Sequence, residues 1–108
     1  MIQDRRKLKR IKIDKLSRIN DSECKVINVS REGLMLSADS VDSANTDTDE
    51  QIQVKFNIKG EWVQITAIVV WRIQDVKSNA VSIGAFIKDA PKEYEEYLEN
   101  LYFEVSET

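Results

Sequence analysis

A mainly β domain, a small barrel or sandwich carrying one helix at its C-terminal end, is the fold class this sequence predicts. Three observations predict it. Apolar and polar residues alternate at period two through residues 51–59 and again from residue 62 to 71, turn-forming residues separate several further short apolar stretches, and the last apolar residues recur at three- and four-residue steps. With 108 residues, 42% hydrophobic and 32% charged, the chain has the composition of an ordinary globular domain. A chain of this size buries roughly 65% of its unfolded surface, which is enough for one core.

The elements follow in order. Ile11 to Ile13 reads as a short first strand behind the basic run DRRKLKR of residues 4–10. Glu23 to Val29 and Leu34 to Ser37 read as the second and third strands. Between them Asn28-Val29-Ser30-Arg31-Glu32-Gly33 forms a polar elbow, in which Asn and Ser hydrogen-bond nearby backbone and Gly permits a positive φ. Residues 37–51, SADSVDSANTDTDEQ, are acidic and read as a solvated loop. Asn45, Asp47 and Asp49 have the spacing of calcium ligands, but Glu50 stands where such a loop needs its glycine and Phe56 where it needs a bidentate glutamate.

Ile52, Val54, Phe56 and Ile58 then form one apolar face, Lys59-Gly60 supplies a turn, and Val63, Ile65, Ala67, Val69 and Trp71 point one way on the returning strand. Lys77-Ser78-Asn79 turns the chain into a last strand, Ala80 to Ile87. Pro91 suits the first turn of a helix over 91–105, whose Tyr94, Tyr97, Leu98, Leu101, Tyr102 and Val105 form the apolar stripe. Glu93, Glu95, Glu96 and Glu99 make its other face solvated, and those near its start favour the helix dipole.

Charge is distributed unevenly. Residues 1–18 carry eight Lys/Arg against two Asp/Glu, and the remainder carries eight against seventeen, so a net charge of -3 conceals a basic segment on an acidic body. The longest apolar run, Ala67 to Trp71, is far short of the ~20 residues that cross a bilayer, and the charged start offers no apolar signal region, so a cytoplasmic location is expected. With one cysteine and no histidine, an intramolecular disulfide, a zinc site and a histidine-based triad lack their materials; Cys24 reads as a small buried hydrophobe. No paired carboxylates or nucleophile motif can be placed either, so the chain is expected to bind rather than catalyse, with no cofactor and no metal.

Two weak signals become specific together. Arg6-x-x-x-Arg10, followed by Asn28-x-Ser30-x-x-Gly33, resembles the two-part signature of the PilZ domain family. The surroundings agree: Arg5-Arg6 precedes the first strand, Gly33-Leu34 opens the third, and Val69-Val70-Trp71 and Ser82-Ile83-Gly84-Ala85-Phe86 resemble the later strands, so that the likeness covers roughly residues 4–103. It implies a six-stranded antiparallel PilZ-type β-barrel with a C-terminal α-helix, a single domain across residues 1–108 with a flexible basic segment at 1–10.

The resemblance also implies a ligand, the bacterial second messenger cyclic di-GMP, held by Arg5, Arg6, Arg10, Asn28, Ser30 and Gly33. An arginine fork can meet a guanine O6/N7 edge or a phosphate with two parallel bonds, which lysine cannot. Asn28 would bond a guanine edge, Ser30 would give its hydroxyl to base or phosphate, and Gly33 would keep the turn compact. Many family members have aspartate at the Asn28 position, where a carboxylate accepts two guanine N–H bonds and a carboxamide offers one acceptor oxygen. Lys7 and Lys9 add long-range attraction, screened beyond about 8 Å at physiological salt. On this reading the chain is a receptor that changes conformation on binding and relays the signal to an unidentified protein partner in control of motility, adhesion or biofilm formation, with a homodimer left open. Two other readings remain: a basic-armed nucleic-acid binder, which the acidic remainder and the lack of an aromatic cluster beside the basic run disfavour, and a PilZ-like interaction module that binds no ligand.

Overall fold

The computed structural model describes residues 10–39 and 46–107. Six strands, β1 (Ile11–Ile19), β2 (Ser22–Val29), β3 (Gly33–Ala38), β4 (Gln51–Ile58), β5 (Glu61–Gln74) and β6 (Val81–Asp89), precede one helix, α1 (Lys92–Glu107). All neighbouring strands are antiparallel and the sheet closes in the order β1-β2-β3-β6-β5-β4. The six-stranded barrel and its helix are thus the expected architecture, with β1 the largest departure.

That first strand runs six residues beyond Ile13. Burial alternates along β1 as in the other strands, but residue polarity does not follow it: Lys15 and Ser17 fall on the inner side while Leu16 is 57% exposed. Two polar arrangements, one buried and one half-buried, make this possible. Ser17, fully buried, lies 3.0 Å from its cross-strand neighbour Cys24, and Lys15 Nζ donates to the Asn57 carbonyl at 3.0 Å beside the Tyr97 ring. Cys24 is buried as expected.

Turn chemistry sets the registers. Asn20 and Asp21 both have positive φ (48° and 78°), the conformation of a two-residue hairpin whose twist matches its strands. Asn20 also closes the barrel: its N–H donates to the Gln53 carbonyl, and its Oδ1 accepts from the Gln53 N–H, both at 2.9 Å, prolonging the β1–β4 seam. Lys59 and Gly60 (φ 52° and 88°) form the equivalent turn between β4 and β5, where Asn57 Oδ1 accepts from the Gly60 N–H.

Inward residues of every strand fill the barrel, with Val26, Val29, Leu36, Ile52, Val54, Phe56, Ile65, Ala67, Val69 and Val81 wholly buried. Helix α1 packs Tyr94, Tyr97, Leu98, Leu101 and Tyr102 of its expected stripe against the barrel; the Val105 side chain lies outside the described residues. Tyr94 and Leu98 are buried, and Phe56 meets the Tyr94 and Tyr97 rings edge-on at 5.9 Å each.

One expectation about β5 is overturned. Trp71 does not share the inner face with Val69, because a β-bulge at Val70 separates the pairs Val69–Ala85 and Trp71–Gly84. The extra residue reverses the alternation and turns both Val70 and Trp71 outward.

Candidate functional site

The elbow after β2 is held by its own residues. The Ser30 N–H donates to the Gly33 carbonyl (2.9 Å), the Gly33 N–H donates to Ser30 Oγ (3.0 Å), and Oγ donates in turn to the Gly33 carbonyl (3.2 Å). Neighbouring elements satisfy two further carbonyls: Tyr94 Oη donates to that of Ser30 (2.8 Å), and the Ile87 N–H to that of Glu32 (2.7 Å). The elbow is therefore a fixed edge, tied at once to β6 and to α1.

Gly33 is required for closeness rather than for the positive φ first expected of it; among the described glycines only Gly60 has one. A Cβ on Gly33 would stand 3.0 Å from the Ala85 carbonyl oxygen, tighter than side chains normally tolerate. Ser30 is buried, and its hydroxyl serves Gly33 through both donor and acceptor, so a ligand would find at most its remaining lone pair.

Beside the elbow lies a cleft of about 230 Å³ lined by Arg10, Ser30, Glu32, Gly33, Val70, Trp71, Gly84, Ala85 and Phe86. Two distant pieces of sequence thus meet: the end of the basic run, carried in by the start of β1, and the elbow after β2. Arg5 and Arg6 lie outside the described residues. The far wall is apolar, and the bulge builds it by presenting Val70 and Trp71 on the outer surface beside half-exposed Phe86. The Trp71 indole lies directly on Gly84, where an added Cβ would fall 2.2 Å from its ring atoms. Gly84 is the absence of a side chain that lets a large aromatic lie flat on the sheet.

Asn28 stands in the same outward row of cross-strand partners, Asn28–Met35–Gly84–Trp71, two strands or about 10 Å from Gly84. Its Nδ2 donates to Met35 Sδ at 3.3 Å, while its Oδ1 is buried without a hydrogen-bond partner. A buried orphan acceptor costs about 1–3 kcal/mol, which a ligand N–H would relieve.

Sequence reasoning named Arg10, Ser30 and Gly33, which the fold brings together, and Asn28, which lies on the same outer surface. It did not assign Glu32, Val70, Trp71 or Phe86 to the site. The Val-Val-Trp run was the available signal, since a third bulky residue at the end of an alternating strand leaves two outward side chains only if the strand bulges. Among the described residues no cluster of His, Cys, Asp and Glu could hold a metal ion, and no helix is long and apolar enough to cross a membrane.

Residues 3–104 match the family model described as PilZ domain. No curated protein matches the chain significantly. Among solved structures, the chain is similar to the Bacillus subtilis inhibitor of motility, MotI/DgrA, with a TM-score of 0.72 at 16% sequence identity. That match covers 94% of this chain and 51% of the other, so this chain spans about half the length of its structural neighbour and is like it in fold.

Proposed function

Because the chain belongs to the PilZ domain family, we propose that it is a receptor for cyclic di-GMP whose binding is relayed through the barrel to a protein partner. PilZ domains are binding and adaptor modules rather than enzymes. The observation that carries the proposal is the meeting of Arg10 with the Ser30–Gly33 elbow in one cleft, although Arg10 and Ser30 stand twenty positions apart in sequence.

Each wall answers part of the ligand. The Arg10 guanidinium offers paired donors for a phosphodiester or a guanine O6/N7 edge. Trp71 and Phe86 offer apolar surfaces to the purine rings, a contact worth about 1–3 kcal/mol per base. Asn28 Oδ1 holds an acceptor in want of an N–H. Arg5 and Arg6 are assigned to the same ligand by the family signature.

Relay follows from the way the elbow is fastened. Any shift of Ser30 on binding must be followed or resisted by Tyr94 of α1, so the helix is the element through which occupancy reaches the surface. That the fold neighbour is an inhibitor of motility supports motility as the process controlled.

Isothermal titration calorimetry with cyclic di-GMP tests the reading. Arg10→Ala should weaken binding about tenfold to a hundredfold, the loss expected for a charge-assisted pair, with an unchanged thermal melt. Ser30→Ala should weaken it too, although that variant also loosens the elbow, which makes Arg10→Ala the decisive one. Binding indifferent to Arg10→Ala, or equal affinity for GTP and a short single-stranded DNA, would discard the receptor assignment.

A further inference from the structure

Among the described residues, Glu32 is the sole carboxylate lining the Arg10 cleft. The family signature leaves this position open. For a ligand with two phosphodiester charges a carboxylate is a costly neighbour, because like charges at close range repel most where water is partly excluded. Its backbone is nevertheless fixed at the cleft edge by the Ile87 N–H at 2.7 Å, and among the described residues its side chain has no ion-pair or hydrogen-bond partner. Glu32 is exposed, so its backbone places the carboxylate at the rim of the cleft, where no other group among the described residues engages it.

Guanine supplies the group that would satisfy it. The Watson–Crick edge of guanine presents N1–H and the 2-amino N–H side by side, two donors matched to the two oxygens of one carboxylate. Asn28, with a single carboxamide oxygen, cannot make that pairing. Resting on the receptor reading above, we propose that Glu32 determines specificity by accepting both of these N–H groups from one guanine. Arg10 then neutralises phosphate in the same cleft while Glu32 selects the base, and the carboxylate that Asn28 lacks is restored from four residues further along the elbow.

Cyclic di-GMP and cyclic di-IMP separate the possibilities, since hypoxanthine keeps O6, N7 and N1–H but lacks the 2-amino group. Calorimetry on the full chain should show that wild type prefers cyclic di-GMP. Glu32→Gln and Glu32→Ala should each weaken cyclic di-GMP by about tenfold or more and cyclic di-IMP much less, shrinking the preference, with thermal melts unchanged. Equal weakening of both ligands would make Glu32 merely structural and overturn the assignment. Unchanged or tighter binding of both would mean that the carboxylate only repels phosphate, which also overturns it. A wild-type chain that binds neither ligand removes the receptor reading and this inference with it, whereas cyclic di-GMP binding insensitive to Glu32 removes the inference alone.

Discussion

Replacing Tyr94 with phenylalanine removes one oxygen, and the structure sets how much that should matter. The ring, its burial and its edge contact with Phe56 remain, so no sizeable cavity opens. What disappears is the 2.8 Å bond to the Ser30 carbonyl, whose loss strips that buried acceptor of its Tyr94 donor. Such a loss costs about 1–3 kcal/mol. Near the lower half of that range, Tm should fall by about 5–15 °C for a domain of this size.

Alkaline pH gives the same substitution a second signature. Burial, reinforced by Tyr102 and Tyr97, pushes the Tyr94 hydroxyl well above its ordinary value of 10. The folded chain therefore keeps this proton at pH values where the unfolded chain has lost it. Tyr94's contribution is complete below about pH 10, and above it wild type loses about 1.4 kcal/mol per pH unit that Tyr94→Phe does not lose. The two stability curves should converge above pH 10 and meet roughly one unit higher. Urea denaturation followed by circular dichroism from pH 7 to pH 11 measures both, with the lysines and other tyrosines cancelling in the difference. Equal stabilities at pH 7, or a constant gap through pH 11, would refute the account of a buried phenol bonded to the elbow.

Other expectations concern the site and the core. Gly84→Ala must push the Trp71 indole off the sheet, so cyclic di-GMP affinity should fall by about fivefold to a hundredfold through the lost stacking wall, read by calorimetry with a check that the barrel still melts cooperatively. Unaltered affinity would show that Trp71 is not part of the ligand surface. Cys24 should resist a thiol reagent at pH 8 in the folded chain and react once urea unfolds it, because burial raises its thiol despite the opposing bond from Ser17; rapid labelling of the native chain would contradict that placement.

The parts legible in the sequence are those fixed by neighbours along the chain. The β4–β5 hairpin could be read because its alternation is unbroken from Gln51 to Ile58 and Gly60 supplies the residue that the larger of the turn's two positive φ values favours. Helix α1 could be read for the same reason: its apolar spacing and early glutamates are local properties. The two signature pieces, Arg10 and the elbow, were likewise visible as residue types, although nothing in their spacing showed that they share a cleft.

What tertiary structure alone decided depends on residues far apart in sequence. The length of β1 follows from its pairing with β2 and its closure against β4, which accept Lys15 and Ser17 on the inner side because Asn57 of β4 and Cys24 of β2 stand ready to bond them. The outward turn of Trp71 follows from a bulge against β6 and from the bare surface of Gly84, and the tie between elbow and helix joins residues 64 positions apart. Alternation, turn preference and helical period are set within a few residues and so belong to the sequence itself. Register, closure and the convergence of a binding surface are set by pairings across the barrel, and exist only once it has closed.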